Sequence, residues 1–88
     1  MHRNDFTDTL AHEGFQTPVT VTREPDSSMD VHTHPFEAKA LVLEGALSIT
    51  VAGVEREYGP GQVFHLPELL PHSERYGPQG VEYLVGRK

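Results

Sequence analysis

The stretch Leu47-Ser48-Ile49-Thr50-Val51 alternates apolar and polar side chains, the period of two expected of a strand with one buried face. Short runs rich in Val, Ile, Leu, Thr, Tyr and Phe recur along most of the chain, broken every few residues by Pro or Gly. The pattern predicts strands over Val19–Arg23, Asp30–Phe36, Lys39–Leu43, Leu47–Ala52, Glu55–Tyr58, Val63–Leu66, Ser73–Tyr76 and Val81–Val85. Glu44-Gly45 reads as a connection between two of them, Ala52-Gly53 as a tight hairpin whose glycine takes a positive φ, and Gly59-Pro60-Gly61 as a further turn. About eight short strands at this spacing suit a compact all-β barrel or sandwich rather than an open sheet with helices. Only the beginning differs. Phe6 and Leu10 lie four apart, Asn4 or Asp5 is placed to cap the start and Gly14 to end the last turn, so one short helix is expected over Asn4–Glu13. The chain thus divides into a helical segment, residues 1–15, and a β-domain, residues 16–88. Phe36, Leu41, Leu43, Leu47, Ile49, Val51, Val63, Phe64, Leu66 and Val85 are expected in the core or at a subunit interface.

Composition narrows this picture. A chain of 88 residues makes one domain. Such a domain removes only roughly 60–65% of its extended surface from water, so a metal or a partner subunit is expected to add support. There is no cysteine, which leaves His, Asp and Glu as the strong side-chain ligands. The formal net charge is −6, with 13 acidic against 7 basic residues and no basic run, so a phosphate backbone is repelled and no nucleic-acid partner is expected. No apolar stretch approaches the ~20 residues that span a bilayer, and Met-His-Arg-Asn-Asp lacks the order of a signal peptide. The expectation is a soluble, cytoplasmic protein with no membrane partner.

Six histidines are present, and their placement matters more than their number. Residues i and i+2 share a face of an extended strand, so His32 and His34 project side by side and can hold one ion in cis. His72 follows Pro67-Glu68-Leu69-Leu70-Pro71, a stiff segment that would aim it. Taken one at a time, each reads first as an exposed strand or turn residue, and it is the pairing that points to a ligand. Glu74 and Tyr76 share the face of His72 if that strand is regular. Glu74 is then a candidate acceptor for an imidazole N–H or a general base, and Tyr76 a candidate donor to a substrate oxygen. His65 shares a face with Val63 and is a weaker candidate for lining a cavity; His2 and His12 are expected at the surface.

The flanks of these histidines carry a family resemblance. Val31-His32-Thr33-His34-Pro35-Phe36-Glu37 with Leu41-Val42-Leu43-Glu44-Gly45, then Gly59-Pro60-Gly61-Gln62-Val63-Phe64-His65-Leu66-Pro67 with Pro71-His72, resembles the two motif blocks of the cupin superfamily. The resemblance spans roughly residues 29 to 77. It implies a small jelly-roll-like β-barrel whose mouth holds one metal ion, with His32, His34 and His72 matching the family's three histidine ligands. It also implies a homodimer. The family's glutamate falls at Ala38, whereas the acid stands one step early, at Glu37; Glu37 is therefore expected to reach the ion only if a bulge shifts the register. Asp26 and Leu69 stand in place of glycines and Tyr76 in place of an asparagine.

The ligand set suits Zn, Fe, Ni or Cu without choosing among them. Three neutral imidazoles leave a divalent ion its full charge, which draws anionic or enolisable molecules and lowers the pKa of bound water. The first expected function is therefore a metal-dependent enzyme doing oxygenase, isomerase or lyase chemistry on a small molecule. The alternatives are a non-enzymatic module that binds or senses a small molecule or metal, and a metal-free barrel that retains only the fold, because this fold hosts many unrelated functions.

Overall fold

Two long, bent strands organise the molecule. A computed structural model describing residues 1–88 contains one helix, α1 (Arg3–His12), and six strands: β1 (Val19–Arg23), β2 (Ser28–His32), β3 (Ala38–Val51), β4 (Val54–Tyr58), β5 (Val63–Leu66) and β6 (His72–Arg87). The runs expected as separate strands over Lys39–Leu43 and Leu47–Ala52 are one strand, β3, and Ser73–Tyr76 and Val81–Val85 are one strand, β6. Glu44-Gly45 does not turn the chain. Register shifts between Val42 and Glu44 and between Gly45 and Leu47 are bulges, which bend β3 while its pairing with β6 continues. Gly45 takes a φ of 74°, and a Cβ there would lie 2.1 Å from the carbonyl oxygen of Gly80, so the crossing of the two bends requires glycine.

Each long strand serves two layers. The first half of β3 pairs with β5 and the last part of β6, which pairs with β1; the second half of β3 pairs with β4 and the first part of β6, which pairs with β2. The result is an antiparallel double-layered β-barrel, open at the end where β3 and β6 carry Ala38 and His72. Alternation then sorts the side chains. Ala38, Ala40 and Val42 of β3, Phe64 and Leu66 of β5, and Tyr76, Val81, Tyr83 and Val85 of β6 fill the interior.

The opposite face of the first layer is covered by the helix. Phe6 and Leu10 of α1 pack with Phe15 on Leu41 and Leu84. Burying two such side chains is worth about 1.5–3 kcal/mol each, enough to seat a helix too short to stand alone. The helix starts one residue earlier than expected, with His2 as N-cap and no side-chain cap, so neither Asn4 nor Asp5 caps it. Its end is as expected: Gly14 has a φ of 83°, and the N–H groups of Gly14 and Phe15 bond the carbonyls of Ala11 and Leu10 at 3.2 and 2.9 Å. No helix is long and apolar enough to cross a membrane.

Candidate metal centre

β2 and β6 place the first two imidazoles. His32 and His72 are opposed in the antiparallel register, so their side chains leave the same face close together. Glu74 lies two residues further along β6, on that face, opposite Met29 of β2 and Ile49 of β3. A register shift between Met29 and His32 keeps both of these β2 residues on the inner side.

His34 arrives by another route. β2 stops at His32, short of the expected strand end at Phe36, because the next segment contains Pro35 and leaves the sheet. The His34 carbonyl accepts the N–H of Leu69 at 2.9 Å, and the ring of Phe36 stacks on that of His34 with centroids 4.9 Å apart. One backbone hydrogen bond thus ties the loop bearing His34 to the loop that delivers His72. Leu69 holds a left-handed φ of 64°, a costly conformation for a leucine and a sign that surrounding contacts fix this loop.

The three ring centroids are 4.3 to 5.3 Å apart, and one ligand atom from each of His32, His34, His72 and Glu74 lies within 4.8 Å of the others. The Nδ1–H of His32 donates to the carbonyl of Asp30 at 2.6 Å, and that of His72 to the carbonyl of Leu70 at 2.9 Å. A carbonyl only accepts, so both rings carry their proton on Nδ1 and, when neutral, present a bare Nε2 lone pair. Both Nε2 atoms are buried without a hydrogen-bond partner. They face Glu74 Oε2 at 3.3 and 3.4 Å, so acceptors confront an acceptor and the arrangement needs a cation between them. Two donors each about 2.0–2.1 Å from a tetrahedrally coordinated ion stand about 3.3 Å apart, which is the spacing found. The residues therefore fit a metal ion.

The surroundings support the same protonation pattern. Burial, reinforced by His32 and His72, holds His34 below the ordinary imidazole value and so favours its neutral form. Tyr76 donates its hydroxyl to Glu74 Oε1 at 3.1 Å. Burial first, and then the Glu74 charge, push this phenol far above its usual range, so it remains a donor. The carbonyls of Asp30 and Leu70 fix the imidazoles from outside and Tyr76 fixes the carboxylate, the supporting shell that metal ligands require.

His32, His34 and His72 are brought together as the sequence pattern indicates. Glu37 is not brought in. Its neighbour Ala38 faces the interior and is 5% exposed, so the residue one step earlier points away, and no bulge reverses it. Its carboxylate accepts from His65 Nε2 and lies 4.0 Å from Lys88 Nζ. The face that His65 shares with Val63 is the outer one, so His65 lines no part of this centre. The acid of the cluster is Glu74, expected from its shared face with His72 as an imidazole acceptor or general base and found instead among the potential ligand atoms, where Glu37 was expected. Tyr76 spends its hydroxyl on Glu74. His2 and His12 are exposed.

Beside the cluster is a cavity of about 60 Å³ lined by His32, His34, Ala38 and Glu74 and also by Arg23 and Arg87. The arginines have no place in the sequence reading. Their only signal is parity: Arg23 follows inward Val21 on β1, and Arg87 follows inward Val85 on β6.

A double-layered β-barrel with three imidazoles and a carboxylate gathered beside one cavity is a scaffold suited to hold a metal ion. The chain belongs to the cupin family, whose domain matches residues 19–82. No curated protein sequence matches it. Among solved structures it is similar to a protein of unknown function from Rhizobium leguminosarum bv. viciae 3841, with 24% identity and a TM-score of 0.76, covering 81% of this chain and 67% of that one. The polyketide cyclase RemF from Streptomyces resistomycificus is 25% identical with a TM-score of 0.70, over 88% of this chain and 58% of that one. The DMSP lyase DddQ from Ruegeria pomeroyi DSS-3 is 25% identical with a TM-score of 0.73, over 81% of this chain and 36% of that one. The chain thus spans from about a third to two thirds of the length of these proteins.

Proposed function

We propose that this cupin binds one divalent transition metal ion through His32, His34, His72 and Glu74, and that it acts there on a small anionic or enolisable molecule by oxygenase, isomerase or lyase chemistry. The observation that carries the reading is the pair of buried, unpartnered Nε2 atoms of His32 and His72 facing the Glu74 carboxylate. Bound, the ion would supply Lewis acidity, stabilising an enolate or lowering the pKa of water. The chain's own residues do the rest. The carbonyls of Asp30 and Leu70 hold the two rings in the ligating tautomer, Tyr76 orients Glu74, and apolar Phe36 and Leu66 in the cavity wall limit access of water. The names of two similar structures, a cyclase and a lyase, agree with such chemistry on this fold.

One feature favours a second reading, a binding or sensing module without turnover. Glu74 is the sole carboxylate lining the cavity, and a Glu74 engaged with the ion and with Tyr76 leaves no free general base there. Elemental analysis of untagged protein tests the common core of both. Near-stoichiometric metal is expected, lost in His32→Ala and in His72→Ala; a metal-free parent after growth and dialysis with excess Zn, Fe, Ni and Cu would sink the metal site. Oxygen consumption or conversion of small carboxylates and enols by the loaded protein then marks the enzyme, and saturable binding without conversion marks the module.

A further inference from the structure

On a chain with a net charge of −6, two of the 7 basic residues, Arg23 and Arg87, line the single cavity beside the metal centre. Lys39, Arg75 and Lys88 each have a carboxylate within 4.0 Å; Arg3, Arg23, Arg56 and Arg87 have none, and of these four only Arg23 and Arg87 line this cavity. The cavity wall therefore carries two cationic side chains against one carboxylate, that of Glu74, before any metal is counted.

The two arginines stand differently. Arg23 is an exposed residue at the end of β1, opposite Val81 of β6, with Tyr83, Tyr76 and Glu74 as its electrostatic neighbours. Arg87 belongs to the open end, opposite Ala38. Its guanidinium carbon lies 5.0 Å above the centre of the Phe36 ring, and Phe36 in turn stacks on the metal-site residue His34. A guanidinium laid on an aromatic face has its donors arrayed at its rim in the fork that matches a carboxylate. Arg87 is so placed, with no acidic partner, at the mouth of the cavity that holds the imidazoles.

We propose that the cavity is a recognition site for a small carboxylic acid of about two to four carbons, whose carboxylate is held by the Arg87 guanidinium while its remaining atoms enter the cavity toward His32, His34 and Glu74. The size follows from the volume. Roughly 10–15 Å³ suffices for one water, so about 60 Å³ holds a few waters and is filled by an acid of that length. Arg23 adds positive potential without contact. The proposal deepens the metal-dependent reading by naming its ligand class. It rests on that reading only for what happens to the ligand, because the arginine needs no ion to bind a carboxylate.

The test is calorimetric titration of the purified full chain with lactate, pyruvate and malonate, with lactamide as the uncharged counterpart of lactate, and with metal content measured on the same samples. At least one of the acids is expected to bind, and lactate at least about tenfold more tightly than lactamide, the scale of a charge-assisted hydrogen bond. Arg87→Gln is expected to erase that preference, Arg87→Lys to retain part of it, and Arg56→Gln, altering an arginine outside this cavity, to leave it intact. Proton NMR spectra of the variants verify that each is folded. Equal affinity for lactate and lactamide, an unchanged preference in folded Arg87→Gln, or no binding of any acid at tens of millimolar would overturn the proposal. A protein that lacks metal yet shows the arginine-dependent preference upholds the carboxylate site and rejects only the metal-dependent reading.

Discussion

At the scale of single residues, the departure of this chain from the cupin pattern is a carboxylate that changes strands. Ala38, the position that the resemblance assigns to the family's acid, faces the same cavity as His32, His34 and Glu74, while the acid of the cluster stands on β6, two residues after His72. The two positions line one cavity from different strands. Glu74→Ala is expected to weaken metal binding by at least about tenfold to a hundredfold, since even groups outside the coordination shell are worth that much. Ala38→Glu in the Glu74→Ala background is expected to recover most of the loss, measured by competition against a chromophoric chelator; no recovery would mean that position 38 does not reach the ion. Glu37 has a different job. Its hydrogen bond from His65, with Lys88 nearby, holds its carboxyl below the ordinary value of 4.5. A depressed carboxylate contributes stability that is present above pH 4.5 and lost as pH falls through the lower folded value. In His65→Ala the Glu37 midpoint, followed by NMR, is expected to rise toward 4.5.

At the scale of elements, the bends in β3 and β6 matter more than strand count. Glu44-Gly45 resembles a turn in sequence because glycine punctuates turns and bulges alike, and only the partner strand decides between them. Here Gly80 of β6 presses on Gly45, and its own Cβ would lie 2.4 Å from the Arg23 carbonyl, so the two long strands cross at a pair of glycines that no local pattern couples. Gly45→Ala is expected to cost on the order of 2–4 kcal/mol, from the φ of 74° and the overlap together, seen as a lower denaturant midpoint; a loss under about 0.5 kcal/mol would show that the crossing can relax. What was legible follows from the same distinction. His72 and Glu74 obey strand parity, so their common face could be read from spacing, whereas the meeting of His32 with His72 across two strands was implied only by the family resemblance. His34 reaches the centre from a loop held by Leu69, and its apparent parity with His32 gives the right destination for the wrong reason. The carbonyls of Asp30 and Leu70, which set the tautomers, have no side-chain signal at all, and Arg23 and Arg87 become visible only once the two layers close over one cavity.

At the scale of the whole molecule, a small core and a buried charge cluster are two sides of one problem. Interior packing is divided between the barrel lumen and the helix-covered face, and a chain this short has limited apolar surface to bury in either. Into that lumen the fold places Glu74, 8% exposed, and two imidazole nitrogens with no partner. Without a cation this cluster opposes folding, since each unpartnered buried polar atom costs about 1–3 kcal/mol. With one, the same atoms become the anchor that joins β2, the His34 loop and β6. Metal binding to the folded chain alone stabilises it by roughly 3–4 kcal/mol at 100 to 1,000 times the dissociation constant. For a domain of this size each kcal/mol moves the melting temperature by about 4–8 °C. Stripping the ion with a chelator is therefore expected to lower Tm by on the order of 10–30 °C, with recovery on adding metal back. His72→Ala, which removes a ligand and one of the unpartnered atoms, is expected to melt at a temperature that chelation no longer changes. A parent protein whose Tm is indifferent to chelation would show that no bound ion contributes to its stability, and that the barrel stands on packing alone.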